Sequence, residues 1–213
     1  MKQTEVGLIP DDWEVITLAN LCELKAGKVT SLNDINKVYP CYGGNGIRGF
    51  ISQYSHDGVY PIIGRQGELC GNVNLAKGKF YATEHAVVAT PRNSVNPIWL
   101  YYQLIALDLN QYAKGCAQPG LSVESLNNVL SIFPPHEEQQ RIAKTLSDVD
   151  ALITTTEKLI QKKKNNKQGT MQNLLTGKKR LPGFAKSTEY KQTELGLIPE
   201  DWEVIQIKDN YFL

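Results

Sequence analysis

The chain has 213 residues, 41% of them hydrophobic, enough to bury a core of ordinary size and to exclude global disorder. Its formal charge of +1, from 23 basic and 22 acidic residues, neither demands nor excludes a polyanionic partner. No apolar run approaches the length of a membrane span and the polar N-terminus is not patterned as a signal peptide, so a soluble, cytoplasmic chain is expected.

Residues 1–16 open the chain with a phrase that returns later. Lys2–Ile16 reads KQTEVGLIPDDWEVI and Lys191–Ile205 reads KQTELGLIPEDWEVI, an offset of 191 − 2 = 189 with 13 of 15 positions identical. A self-match this close marks a duplication: one unit followed by the opening of another. Within it, Gly7–Trp13 reads as a tight turn carrying an apolar plug. Pro10 removes a backbone donor there, and Asp11 or Asp12 can cap the next element.

Residues 17–135 read as a compact mixed domain. Short β-type runs such as Val59–Ile63 and His85–Ala89 are separated by Gly, Asn and Pro. A helix is expected over Pro97–Leu109, with Trp99, Leu100, Leu104 and Leu107 on or near one face. A second, short helix is expected to start at Ser122 as its N-cap. Gly44–Gly49 matches G-x-G-x-x-G, but the following Phe50–Tyr54 is β-like rather than helical, so no nucleotide site is expected. No P-loop, no Asn-Pro-Pro-aromatic sequence, no G-x-S-x-G elbow and no nuclease-like acidic pattern occurs. Cys22, Cys41, Cys70 and Cys116 form no CxxC pair and His56, His85 and His136 are dispersed, so reduced thiols and no metal are expected.

Three Gly-supported polar loops stand out: Tyr42–Arg48, Gly64–Gly67 and Lys114–Ser122. Glycine lets a loop approach another backbone closely. Arginine forks onto guanine, Asn and Gln onto adenine, and Tyr packs on sugar or base. Each loop taken singly also reads as an ordinary turn.

Residues 136–177 form the next segment, opened by Pro134-Pro135. Ile142, Leu146, Val149, Ile153, Thr156 and Ile160 alternate steps of four and three, a heptad seam that recovers at Leu174. Leu152 and Leu159 widen it. Forty residues of helix would be ~60 Å long, against a face of about 30 Å on a domain of ~120 residues, so much of this helix is expected to project and to need a partner. Gln161–Arg180 carries Lys162, Lys163, Lys164, Lys167, Lys178, Lys179 and Arg180 with no acid, either a solvated face or a surface for phosphates or an acidic partner. Residues 178–190 read as a flexible linker and 191–213 as a truncated second copy of the opening segment. The fold class is α+β: one mixed α/β domain followed by a long projecting coiled-coil helix.

Five phrases together resemble the DNA specificity subunits of type I restriction-modification systems. They are GLIPDDWE (Gly7–Glu14), IGRQGELCG (Ile63–Gly71), EHAVV (Glu84–Val88), PPHEEQQRIA (Pro134–Ala143) and MQNLLTG (Met171–Gly177). The resemblance implies a target-recognition domain over 17–135 and a conserved spacer helix over 136–177. It implies a subunit that is not itself catalytic and binds no cofactor. Such a subunit positions modification subunits, which use S-adenosylmethionine to methylate adenine, and restriction subunits, which use ATP-Mg. The family carries two recognition domains and two antiparallel helices reading a split site in double-stranded DNA, whereas this chain holds one of each. A homodimer reading an interrupted palindrome is therefore expected, with Ile142, Leu146, Val149, Leu152, Ile153, Leu159, Ile160 and Leu174 at the helix interface. Tyr42, Asn45, Arg48, Arg65, Gln66, Lys114, Gln118 and Ser122 are the expected DNA contacts, with Arg and Lys also able to hold phosphates. The alternatives are a coiled-coil interaction protein without sequence preference and a silent truncated cassette.

Overall fold

The computed structural model describes residues 1–30, 38–67, 69–115 and 119–207, so the expected contact Gln118 lies outside the described residues, as does Cys116. The chain divides into two compact units, Met1–Asp148 and Val149–Leu213.

The first unit begins with a hairpin of β1 (Lys2–Thr4) and β2 (Gly7–Ile9), in which Thr4 Oγ1 donates to Gly7 O at 2.7 Å. Strand β3 (Glu14–Thr17) leads through the short helix α1 (Leu18–Leu21) into β4 (Cys22–Ala26). Strands β5 (Tyr39–Gly43), β6 (Gly46–Ile51), β7 (His56–Gly64), β8 (Val73–Ala82) and β9 (Ala86–Pro91) come next. They form a six-stranded sheet with β4, in the order β4-β9-β7-β8-β5-β6. Every neighbour is antiparallel except β5 with β8, whose parallel register sets Cys41 beside Tyr81 and Tyr42 beside Ala82.

The alternation of strand side chains explains the unbroken apolar run in β9. Val87 and Ala89 face a core built with Ile63, Leu18, Leu21, Trp99, Leu100 and Leu104. Ala86 and Val88 face the opposite way, against Ile62, Ala76 and Phe80. A strand buried on both faces has no position left for a polar residue. Cys22, Cys41 and Cys70 are free and buried. Burial pushes the Cys22 thiol up to about 12.

Helix α2 (Pro97–Ala106) is capped by Asn96, whose side chain accepts from Ile98 N and Trp99 N at 2.9 and 3.0 Å. It ends three residues before the expected Leu109, because Asp108 takes a left-handed conformation (φ 43°) and a 3-10 turn, Leu109–Tyr112, begins. Helix α3 (Val123–Asn127) starts where expected, with Ser122 Oγ accepting from Ser125 N at 2.9 Å. Strand β10 (Leu130–Phe133) pairs with β3.

Helix α4 (His136–Leu175) runs 40 residues, and its first turns are anchored on the first unit. Gln139 is fully buried: its Nε2 donates to Pro134 O at 2.9 Å and its Oε1 accepts from Asn96 N at 2.9 Å. Trp13 Nε1 donates to Glu138 Oε2 at 2.8 Å, tying the opening hairpin to the same turn. Ile142, the first residue of the seam, packs against this core, while Leu146 is exposed.

In the second unit α4 presents Val149, Leu152, Ile153, Leu159 and Ile160 to solvent, while Leu174 is half-buried. Gly177 takes φ 71° just past the helix end, the left-handed stop expected of a glycine there. The repeated phrase then forms the same hairpin again, β11 (Tyr190–Thr193) with β12 (Gly196–Pro199). Lys191 pairs with Ile198 as Lys2 pairs with Ile9, and Thr193 Oγ1 donates to Gly196 O as Thr4 does to Gly7. The expected linker is tied down at Arg180, whose guanidinium forks onto Asp201 at 2.6 and 3.0 Å.

Candidate nucleic-acid interface

The three polar loops, far apart in sequence, are brought together, the third through its described residues 114–115 and 119–122. Four backbone hydrogen bonds join them to one another or to the turn between β8 and β9. Thr83 N donates to Tyr42 O at 2.9 Å, Arg65 N to His85 O at 3.1 Å, Leu121 N to Arg65 O at 2.9 Å and Gly67 N to Pro119 O at 3.1 Å. The β5–β6 turn is drawn onto the end of β7 so closely that a Cβ on Gly64 would stand 1.9 Å from Gly44 O. Glycine at position 64 is what permits that approach.

Between the first two loops lies an open groove of about 470 Å³, lined by Gly44, Asn45, Arg48, Gln66, Gly67, Leu69 and His85. Asn45, Arg48 and Gln66 are exposed on it, as three of the expected contacts. The Arg48 stem lies across Gly43, where a Cβ would meet Arg48 Cδ at 2.2 Å. Asn45 Oδ1 accepts from Asn72 Nδ2 at 2.8 Å, which orients its amide.

The other expected contacts are placed differently. Arg65 is half-buried, with its Nε enclosed and unpaired among the described residues. Lys114 is exposed beside the groove loop through its bridge to Gly120, which is also bridged to Gln66. Ser122 is exposed, with its hydroxyl spent on capping α3 and on Ser125 Oγ. The Tyr42 ring is turned to the sheet, edge-on to Phe80 at 5.5 Å between centroids, and burial pushes its hydroxyl up from the ordinary phenol value.

Residues outside the expected set complete the groove. His85 forms part of its wall, with Nε2 3.1 Å from Glu84 Oε1. Asn74 Nδ2, Glu84 Oε2 and His85 Nδ1 join Arg65 Nε as enclosed polar atoms without a partner among the described residues. Buried polar groups are nearly always hydrogen-bonded, so these atoms keep hydrogen-bonding capacity that their protein neighbours among the described residues do not use. The signal for Glu84 and His85 lay in the EHAVV phrase, but only the parallel pairing of β5 with β8 carries that turn to the groove. Chemically the wall offers donors from Arg, Asn and Gln and acceptors from Asn and Gln, the complement of base edges. Among the described residues no cluster of His, Cys, Asp or Glu could hold a metal ion, and no helix is long and apolar enough to cross a membrane.

Residues 10–165 match the family described as type I restriction modification DNA specificity domain. Over 145 residues the chain is 45% identical to the type I restriction enzyme EcoprrI specificity subunit of Escherichia coli, covering 65% of this chain and 36% of that protein. It is 30% identical over 241 aligned residues to the putative type I restriction enzyme MjaX specificity subunit of Methanocaldococcus jannaschii, covering 99% of this chain and 56% of that protein. In fold it is similar to the crystal structure of the type-I restriction-modification system S subunit from M. genitalium. The TM-score is 0.64 at 20% identity, over 76% of this chain and 45% of that one. The chain thus spans roughly a third to a half of the length of these curated relatives.

Proposed function

Because the chain belongs to the type I restriction-modification DNA specificity family, we propose that its groove reads the bases of one half of a split site in double-stranded DNA. The observation that carries this reading is the convergence of two separate polar loops on one groove, with Asn45, Arg48 and Gln66 exposed along it and the third loop bridged to Gln66 through Gly120. Arg48 forks onto guanine and Asn45 or Gln66 onto adenine, while Lys114 and Arg65 hold phosphates and set the register. The chain carries out no chemistry. It positions a modification subunit that methylates adenine from S-adenosylmethionine and, in the full assembly, a restriction subunit driven by ATP-Mg.

Two copies pair through α4 and read an interrupted palindrome, since two-fold symmetry in the protein is mirrored in the site. Support comes from the exposed row Val149, Leu152, Ile153, Leu159 and Ile160, which is too apolar and too regular to be left to water.

The test is co-expression with the cognate modification subunit and mapping of methylated adenines across host DNA. Methylation at a split palindrome of fixed gap is expected. Arg48→Ala should relax preference at one position per half-site, at about 1–3 kcal/mol of discrimination. No methylation above the modification subunit alone would overturn the proposal. The acid-free basic run Lys162, Lys163, Lys164 and Lys167 favours a second reading, a coiled-coil protein that binds without sequence preference. That reading predicts strongly salt-dependent binding with no base preference and no effect of Arg48→Ala on specificity.

A further inference from the structure

The two copies of the repeated phrase fold alike but are held differently. In the second copy Asp201 accepts both arms of Arg180, and the guanidinium lies 5.3 Å from the centre of the Trp202 ring. Arg180 holds the Asp201 carboxyl down to about 2. Pro199 is buried against Gly177, where a Cβ would meet Pro199 Cδ at 2.4 Å, and Tyr190 Oη donates to Gly177 O at 3.0 Å. The end of α4 is thus gripped by Pro199, Asp201 and Trp202.

The first copy carries the same three residues as Pro10, Asp12 and Trp13; Glu138 holds the Trp13 ring nitrogen, but among the described residues no arginine takes the place of Arg180 at Asp12. Asp12 is exposed and, among the described residues, neither hydrogen-bonded nor ion-paired. Pro10 is half-exposed. Beside Asp12 opens a groove of about 590 Å³ whose walls include Glu137, Glu138, Arg141, Ile142 and Leu146. Three carboxylates (Asp12, Glu137, Glu138) against one guanidinium leave the groove at 1 − 3 = −2. The segment gripped by the second copy, Gly177–Arg180, carries +3 from Lys178, Lys179 and Arg180.

We propose that this groove receives the Gly177–Arg180 segment of a second copy of the chain, with Arg180 exchanging its own Asp201 for the partner's Asp12. The inference rests on the homodimer reading above and supplies its end contacts. Helix arithmetic within that reading agrees with it. If two α4 seams cover each other antiparallel from Ile142 to Leu174, opposed positions sum to 142 + 174 = 316. Gly177 then falls beside position 316 − 177 = 139, next to the Glu138 that holds Trp13. Ile142 and Leu146, at the groove wall, are the first residues of that seam. The hairpin of β11 and β12 serves as a stand-in that occupies the helix end while no partner is present. A near-identical sequence makes the exchange close to neutral in free energy, so the balance is set by concentration and by the seam.

The test is sedimentation analysis of the full chain at low salt and at tens of micromolar. Asp12→Lys, at an exposed position, should weaken the dimer roughly tenfold without changing the circular dichroism, as loss of a close charge pair does. Asp201→Asn removes the internal competitor and should tighten it at least threefold, on the order expected when a tethered rival is removed. The triple variant D12K/R180E/D201K, which reverses every pair, should return the affinity to about the wild-type value. Dimers indifferent to Asp12→Lys would overturn the groove assignment while leaving helix pairing standing. Wild type and Asp201→Asn that both remain monomeric would overturn helix pairing and this inference together.

Discussion

Gln139→Leu should be among the most damaging conservative substitutions in the first unit. The side chain is fully buried and bridges two elements, accepting from Asn96 N at the cap of α2 and donating to Pro134 O at the end of β10. Leucine fills nearly the same volume, so no cavity term enters. What remains is an enclosed N–H and an enclosed C=O left unpaired, at about 1–2 kcal/mol each. The added apolar burial returns about 1 kcal/mol. The net loss is therefore about 2 kcal/mol, a large share of the stability of any single domain. Urea unfolding monitored by tryptophan fluorescence reads it directly, because Trp13 and Trp99 both lie near this junction. With a slope near 2 kcal/mol per molar for a domain of this size, the midpoint should fall by about 1 M at unchanged slope. Gln140→Leu, one position along on an exposed site, is the control and should shift it little. A Gln139→Leu midpoint indistinguishable from wild type would refute the view that this residue locks the recognition domain to α4.

Other outcomes rest on single contacts. Gly64→Ala places a methyl 1.9 Å from Gly44 O, so it should cost about 1–3 kcal/mol and part the loops; unchanged melting together with unchanged DNA affinity would contradict the groove geometry. Asn96→Ala removes a double cap and should cost about 1 kcal/mol by thermal melting. Burial raises the Cys22 thiol from its ordinary 9.0 to about 12, so its contribution to stability is complete below pH 9 and is lost as pH rises toward 12. Cys22→Ala should flatten the alkaline limb of the stability profile, and an unchanged limb would remove Cys22 as its cause. The same burial predicts that Cys22, Cys41 and Cys70 resist a thiol reagent until the chain unfolds.

The features legible in the sequence were those that local chemistry dictates. Ser122 caps α3 because its hydroxyl reaches the Ser125 N–H within one turn. The β-like residues after Gly49 spoke against a nucleotide loop in the glycine run, and Gly46–Gly49 is found in strand β6. The heptad steps of α4 and the glycine stop at 177 need nothing beyond the helix itself. Expectations weakened where a long-range partner decides. Asp108 ends α2 early by taking a left-handed conformation, and nothing in the periodicity of residues 97–109 shows it. Tyr42 has the composition of a base-stacking residue, but its ring is claimed by Phe80 from β8. The segment 178–190 has the composition of a loose linker, and long-range partners tie it down, Arg180 to Asp201 and Glu189 O to Glu200 N.

The sequence by itself determined the element types, the duplication, the long helix and the family, because these depend on spacing and on phrases read along one strand of chain. The tertiary structure alone decided that the loops at Gly44–Arg48 and Gln66–Gly67 form one groove and that Glu84 and His85 belong beside it. It also decided that two nearly identical hairpins have different partners. The reason is physical: hydrogen bonds such as Arg65 N to His85 O, and a close approach such as Gly44 to Gly64, join residues that no local pattern relates.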